Sequence, residues 1–563
     1  MLSRRFRDTN LSSRLSLFES KDWIKNSDAS SGQKPLLCIA VLVLTIIAVF
    51  GRVGGFDFVR WDDDINVYAN SYVSPLNSSN IACFWRAPYM QLYIPLSYTF
   101  YALIGFLAKA DHFISSASAV PVSLNPHVFH CASIVLHIAA TGVVFRILRL
   151  LTGKDYAALA GALLFGIHPL QVEAVAWISE MRGMWCSLFS LLALWAYLAN
   201  AIAMRDGPKT PGSRKRYAVV ALFYTCALLC KPTAVALPFV AWVLDYGVVR
   251  RPIWLTLRPL CAWLMLSLPW VLVTCKAQPV PAEILVPWWQ RPAIAVDAIG
   301  FYLAKLLTPY GLAIDYGRSP SYVLHHTSWV YVALAALAFC LCWRSARTSD
   351  RLVAAAFGVF IGGLLPVLGL MPFVFQRFST VADRYAYLPM LGAGLLIAGV
   401  LARYPRWKVV SFACIIALMP LSIIQTSYWQ DSDRLFSRAV AINPRSTLSY
   451  GNIGTLLYDR GDTAGALQCY RKVLEIKPND EKAHLNIALA YYRMRDYAKA
   501  VESFNTTLKI NPTNAEAHND LGVLHAQSGN IPAALAEWRE AARLSPGYDE
   551  PRVNLARAGQ PNL

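Results

Sequence analysis

The chain has 563 residues, 56% of them hydrophobic, and a mean hydropathy of +0.39. That excludes a water-soluble protein of this size, because most of the chain has to be solvated by lipid. The formal charge is +18, but from Asp431 onward 16 basic residues face 15 acidic ones, so nearly all the excess lies in the apolar part. Basicity beside bilayer segments speaks for orientation and lipid phosphates; nucleic-acid binding would need a basic soluble domain, and there is none.

Residues 1–35 mix both signs of charge and read as a cytoplasmic N-terminal segment. No small-residue cleavage site follows Phe50, so Leu36–Phe50 reads as a retained first span rather than a signal peptide. Further apolar stretches fall at Val128–Leu148, Ala157–Gly166, Met184–Ala203, Ala218–Leu229, Ala234–Val249, Leu260–Thr274, Trp329–Trp343, Leu352–Leu370, Leu388–Leu401 and Val409–Ile424. That makes about eleven spans, several shorter than the roughly 20 residues of a full crossing. Gln91–Ala108 and Ala293–Leu307 read as helices at the outer interface, which their Tyr, Trp and Lys content suits.

Charge gives the orientation. Basic clusters at Arg146/Arg149/Lys154, Arg205/Lys209/Arg214/Lys215/Arg216, Arg250/Arg251/Arg258, Arg344/Arg347/Arg351 and Arg403/Arg406/Lys408 each lie an even number of spans from the basic N-terminus. The positive-inside rule then puts the N-terminus in the cytoplasm and the alternate loops and C-terminal region outside. Of the twelve cysteines, nine lie in or beside apolar runs, and their spacing gives neither a disulfide framework nor a zinc site.

The last quarter repeats. Pro444, Pro478, Pro512 and Pro546 are each 34 residues apart. Between them recur Gly454, Ala488 and Gly522, then Ala466, Ala500 and Ala534, then Tyr470, Phe504 and Trp538. Small residues where two helices touch and a large partner beside them make the tetratricopeptide pattern of paired helices. The expected layout is an all-α chain: a polytopic domain over residues 36–428, a linker and partial repeat helix over 429–446, three repeats over 447–548 and a cap over 549–563. The groove of such repeats is expected to take a peptide or protein segment.

Polar residues gather on the expected outer side. They are Asp62-Asp63-Asp64, the His168–Trp177 run, Cys230-Lys231-Pro232, the Cys275–Ser328 segment and Asp383-Arg384-Tyr385. Ionisable residues at membrane depth are costly, so each is a candidate for function. An alcohol attacking an anomeric carbon needs a base within hydrogen-bond reach. A departing phosphate gathers charge that cations stabilise, and Lys231, Arg182 and Arg384 are the available cations. Neighbouring carboxylates would split their titrations or bind a divalent cation. Bland readings stand beside these. The Asp trio can be a turn or cap, Lys231 can reach for the interface, and Asp383–Arg384 can be a local charge pair. If the His168 helix runs on to Arg182, Glu173 can pair with it. His130 and His137 share a helix face and are expected to hydrogen-bond between helices rather than bind metal.

Phe58–Asn70, Tyr93–Leu96, Leu164–Trp177, Leu229–Pro238, Asp315-Tyr316, Asp383–Leu388 and the trailing repeats resemble the transmembrane and tetratricopeptide-repeat O-mannosyltransferases and their bacterial relatives, of the GT-C glycosyltransferase superfamily. The resemblance implies a GT-C-like helical domain, a polyprenyl-phosphate-linked sugar as co-substrate, a hydroxyl acceptor and catalysis at the outer membrane face. It implies an acidic pair at Asp62 and Asp63, with Asp64, His168, Glu173, Asp383 and Tyr385 in support and Lys231, Arg384 and Arg182 at the donor phosphate. One departure is Met181-Arg182-Gly183, where relatives usually carry Arg-x-Asp, so a carboxylate is missing there. The expected activity is transfer of a hexose such as mannose to Ser/Thr of proteins, in a bacterial inner membrane or, alternatively, the endoplasmic reticulum. The rivals are a glycan, lipid or pilin acceptor, and a silent membrane scaffold presenting the repeats.

Overall fold

The computed structural model describes residues 33–113, 122–206, 213–278, 284–348 and 350–559. The basic N-terminal residues Arg4, Arg5, Arg7 and Arg14, Lys209, and the end of the cap (560–563) lie outside the described residues. The described residues form two units, one over most of 33–431 and one over 432–559 together with Asp315–Gly317.

The first unit is helical apart from a short antiparallel ladder pairing Lys109–Phe113 with Val122–Leu124. Among the described residues, seven helices are long and apolar enough to cross a bilayer: Pro35–Gly55, Pro126–Thr152, Ile178–Met204, Pro232–Val249, Ile253–Ala277, Trp329–Ala346 and Pro405–Ser427. Counting Asp155–Ile167 and Pro169–Ala176, bent by 52°, as one span gives eight. The three remaining stretches of the expected eleven form lesser helices, each for a local reason. Ala218–Leu229 is the apolar part of Ser213–Cys230, which opens with Arg214, Lys215 and Arg216. Pro366 interrupts the second, and Pro389 delays the start of the third to Met390. The two expected interfacial stretches form the helices Pro95–Leu107 and Arg291–Leu307.

Pro126–Thr152 and Ile178–Met204 are each 56% buried and make the centre, whereas Trp329–Ala346 is 6% buried and turns its apolar side chains outward. Small residues let central helices touch: a Cβ on Gly161 would overlap the carbonyl oxygen of Gly394, on the helix Met390–Arg403. Such backbone approach is how membrane helices gain packing without a hydrophobic driving force between them. His137 bonds Tyr387 Oη and the Gly166 carbonyl at 2.8 Å each, and His130 Nε2 reaches the Asp57 carbonyl at 3.2 Å, so both histidines do hydrogen-bond between segments. All twelve cysteines are free thiols.

The second unit stacks Ser432–Ile442 and three helix pairs: Thr447–Asp459 with Thr463–Ile476, Glu481–Arg493 with Tyr497–Ile510, and Ala515–Gln527 with Ile531–Leu544. Ser446, Asp462, Asp480, Asp496, Asn514 and Asn530 each cap a helix by accepting an amide of its first turn. The large residues Tyr470, Phe504 and Trp538 are buried against Ala466, Ala488 and Ala534 or their neighbours. Asp315 joins this unit, accepting Ser446 Oγ at 2.6 Å and Asn443 Nδ2 at 3.1 Å. A Cβ on Gly522 would meet the Trp538 ring at 2.7 Å, while one on Gly451 meets nothing within 4 Å. Gly522→Val is therefore expected to cost the repeat unit about 1–3 kcal/mol by overpacking. Gly451→Ala should instead gain roughly 0.5–1 kcal/mol by cutting backbone entropy. Denaturant midpoints for proteolytic cutting of the repeat unit within the full-length chain check both signs.

Candidate active site

Breaks in the helices position the ionisable side chains. His168 stands extended (ψ 137°) before Pro169, Trp177 is extended (ψ 114°), Lys231 is extended (ψ 133°) before Pro232, and Ala382 is extended (ψ 145°) before the turn Asp383–Ala386. Proline explains two of these directly, since it disfavours helical geometry in the residue before it. A helix that continued through these points would aim its side chains around a cylinder. The breaks aim them at one another.

Lys231, Arg384 and Tyr385 line one pocket with Glu180, Gly183, Thr233 and Tyr387. The Lys231 ammonium donates to Glu180 Oε1. Arg182 Nε lies 3.8 Å from Glu180 Oε2, an atom that is buried and receives no hydrogen bond. Arg384 donates its amide (2.9 Å) and Nη1 (2.5 Å) to the two oxygens of Glu173, and both residues are buried. Its guanidinium lies 4.2 Å from the Phe375 ring centroid, 4.8 Å from Tyr385 and 5.3 Å from Trp177. An arginine paired on one side and stacked among rings keeps its charge and loses its freedom to swing. Lys231, Arg182 and Arg384 thus gather around Glu180 and Glu173, with Asp383 beside Arg384.

The aspartates lie beside this pocket rather than in its lining. Asp63 is fully buried: Oδ1 accepts the Ser179 amide (2.9 Å) and hydroxyl (2.7 Å), and Oδ2 accepts the Val59 amide (3.1 Å). The loop is tied down further where Trp177 Nε1 donates to the Trp61 carbonyl at 2.7 Å and Tyr98 Oη donates to Asn66 at 3.0 Å. Ser179 precedes Glu180, so the Asp loop is clamped to the segment that carries the pocket carboxylate. Asp62 is half-buried with φ +65°, a left-handed conformation that the surrounding loop has to hold in place. Asp64 is half-buried and opens the turn Asp64–Tyr68.

His168 is wholly buried; Nδ1 accepts the Leu170 amide at 3.2 Å and Nε2 faces the Leu306 carbonyl at 3.1 Å. Nδ1 holds the bend, and Nε2 ties it to the end of the helix Arg291–Leu307. Asp383 is buried beside Arg384. The pairing of Glu173 with Arg182, expected from a continuous helix, does not form: the helix breaks at Trp177, and Glu173 meets Arg384, 211 residues along the chain. Arg384 likewise finds its carboxylate in Glu173 as well as standing next to Asp383. Glu180 and Gly183 are the site residues that the sequence reading passed over. Their signal was faint: an acid two residues before Arg182, and a glycine at the departure already noted.

Burial pushes the Asp63 carboxyl up to about 7, against the pull of its three hydrogen-bond donors. An acid raised in the folded state binds its proton more tightly there than in the unfolded chain, so its contribution to stability falls as pH rises from about 4 to about 7. Asp63→Asn carries no such titration. The wild type's unfolding temperature, measured relative to Asp63→Asn in the same detergent, is expected to drop across that window and stay level above it.

Comparisons with known proteins follow this geometry. A TPR repeat model matches residues 454–494 and a tetratricopeptide repeat model residues 485–549. The mouse (Mus musculus) protein O-mannosyl-transferase TMTC4 is 24% identical over 410 residues, 62% of this chain and 55% of that protein. Mouse protein O-mannosyl-transferase TMTC2 is 23% identical over 447 residues, covering 62% and 52%. Human (Homo sapiens) protein O-mannosyl-transferase TMTC2 reaches 31% over 128 residues, 23% of this chain and 15% of that one. The relatives are thus those that the sequence motifs resemble, and the chain spans about half the length of the first two.

Proposed function

We propose that the chain is a membrane glycosyltransferase that moves a hexose, mannose in the first instance, from a polyprenyl-phosphate donor to Ser/Thr hydroxyls of proteins. The observation that carries this reading is the pocket itself: Lys231 and Arg384, from separate breaks in the helices, meet Glu180 and Tyr385 in one place. The relatives, named protein O-mannosyl-transferases, supply the reaction class.

On this reading the hydroxyl oxygen attacks the anomeric carbon and the sugar–phosphate bond breaks, its electron pair going to the lipid phosphate. Lys231 and Arg384, with Arg182 beside them, take up the negative charge that gathers on that phosphate. Asp62 accepts the hydroxyl proton, since the oxygens of Asp63 are already engaged by Val59 and Ser179. Asp63 holds Asp62 in its left-handed turn and moors the loop to Ser179. Among the described residues no three His, Cys, Asp or Glu side chains converge as a metal site. The repeats engage the acceptor segment, and the whole acts with its N-terminus cytoplasmic and its repeats across a bacterial inner membrane.

The test is transfer from polyprenyl-phosphate mannose to a Ser/Thr-rich protein by the purified full-length chain in nanodiscs. Lys231→Met is expected to lower kcat/KM roughly 100-fold or more, the usual scale for losing one transition-state charge stabiliser. Asp62→Asn should lower kcat with little change in donor KM. Wild-type protein that transfers no sugar, or variants that match it, would overturn the assignment.

A further inference from the structure

Gly183 and Glu180 are coupled by space. A Cβ on residue 183 would overlap the Glu180 carboxylate and come within 3.1 Å of Lys231 Nζ. The carboxylate therefore occupies the volume that a side chain at 183 would fill, and it can pair with Lys231 only because that side chain is absent. Glu180 is 2% exposed, yet it holds only one of its oxygens in a hydrogen bond. Its second oxygen lies buried at the pocket with Arg182 Nε 3.8 Å away.

A buried carboxylate with an oxygen outside any hydrogen bond, paired to a lysine at a pocket that Arg384 also lines, is an arrangement that an anion can rearrange. We propose that Glu180 is a built-in competitor: it positions Lys231 while the pocket is empty and gives the ammonium up to the phosphate of a bound lipid. This rests on the sugar-transfer reading. Competition has a use in that reaction, because the donor phosphodiester carries one negative charge and the phosphate left behind carries up to two. The product would bind the cations more tightly than the substrate does, and a carboxylate that reclaims Lys231 favours its release.

The formal charge of the pocket gives the sign of each variant. Removing the Glu180 charge makes the site one unit more positive, and removing Lys231 makes it one unit less positive. Binding of free polyprenyl monophosphate to full-length protein in nanodiscs, followed by native mass spectrometry, reads this out. Glu180→Gln is expected to bind about tenfold more tightly than wild type, and Lys231→Met about tenfold more weakly, as single charges in partly desolvated sites do. Gly183→Ala, which expels the carboxylate while leaving residue 180 unchanged, should move in the same direction as Glu180→Gln. Under turnover both should lower kcat and donor KM together. A purely structural Glu180 would instead lose affinity along with folded protein in both variants. Unchanged or weaker binding by Glu180→Gln, or no binding by any form, overturns the proposal. The expected binding order in protein that transfers no sugar would leave the competition standing and remove the sugar-transfer reading instead.

Discussion

Every backbone amide and carbonyl released by a broken helix inside a membrane protein has to be satisfied by the protein itself. This unit breaks its helices at His168, Trp177, Lys231 and Ala382, and the price of each break is visible nearby. His168 Nδ1 accepts the Leu170 amide at the first. Gln171 Nε2 donates to the Phe165 carbonyl beside the same bend. Tyr101 Oη donates to the Ser179 carbonyl just after the second. Tyr302 Oη both donates to the Ala382 carbonyl and accepts the Ala382 amide at the fourth. The polar residues that look catalytic by composition are therefore of two kinds: those that keep the breaks closed, and those that the breaks expose to one another.

That division explains the electrostatics. Glu173 and Arg384 neutralise each other by direct bonds and, with the surrounding rings, hold a guanidinium at the pocket wall. Removing either partner alone would strand a buried charge, which costs more than the pair contributes. Asp63 serves the loop in the same way, trading its carboxylate oxygens for three donors and fixing where Asp62 stands. Lys231 differs from these: its partner Glu180 keeps an oxygen in reserve, so the ion pair can be exchanged without leaving a donor unpaired.

What could be read from the sequence follows the range of the interactions involved. The repeats were legible because their period is local: the small–large contacts recur every 34 residues, and in the structure the caps Asp462, Asp496 and Asn530 keep the same spacing. The clustering of Lys231 with Arg384 in one pocket was legible through motif order. The partners were not. Glu173 and Arg384 are 211 residues apart and Asp63 and Ser179 are 116 apart, and no periodicity joins them. Glu180 was hidden for a geometric reason. A continuous helix from His168 to Arg182 puts Glu173, Trp177 and Glu180 on one face, and only the break at Trp177 sends Glu180 to Lys231 and leaves Glu173 for Arg384. Helix ends were hidden likewise, since Pro366 and Pro389 shorten two stretches whose composition alone runs on.

The most direct measurement is an experimental structure of the full chain in nanodiscs with bound polyprenyl-phosphate mannose. The account predicts the phosphate in the pocket between Lys231 and Arg384, with the anomeric carbon directed towards Asp62 and the Glu180 carboxylate withdrawn from Lys231. A phosphate held elsewhere, with the Lys231–Glu180 pair undisturbed, would contradict it.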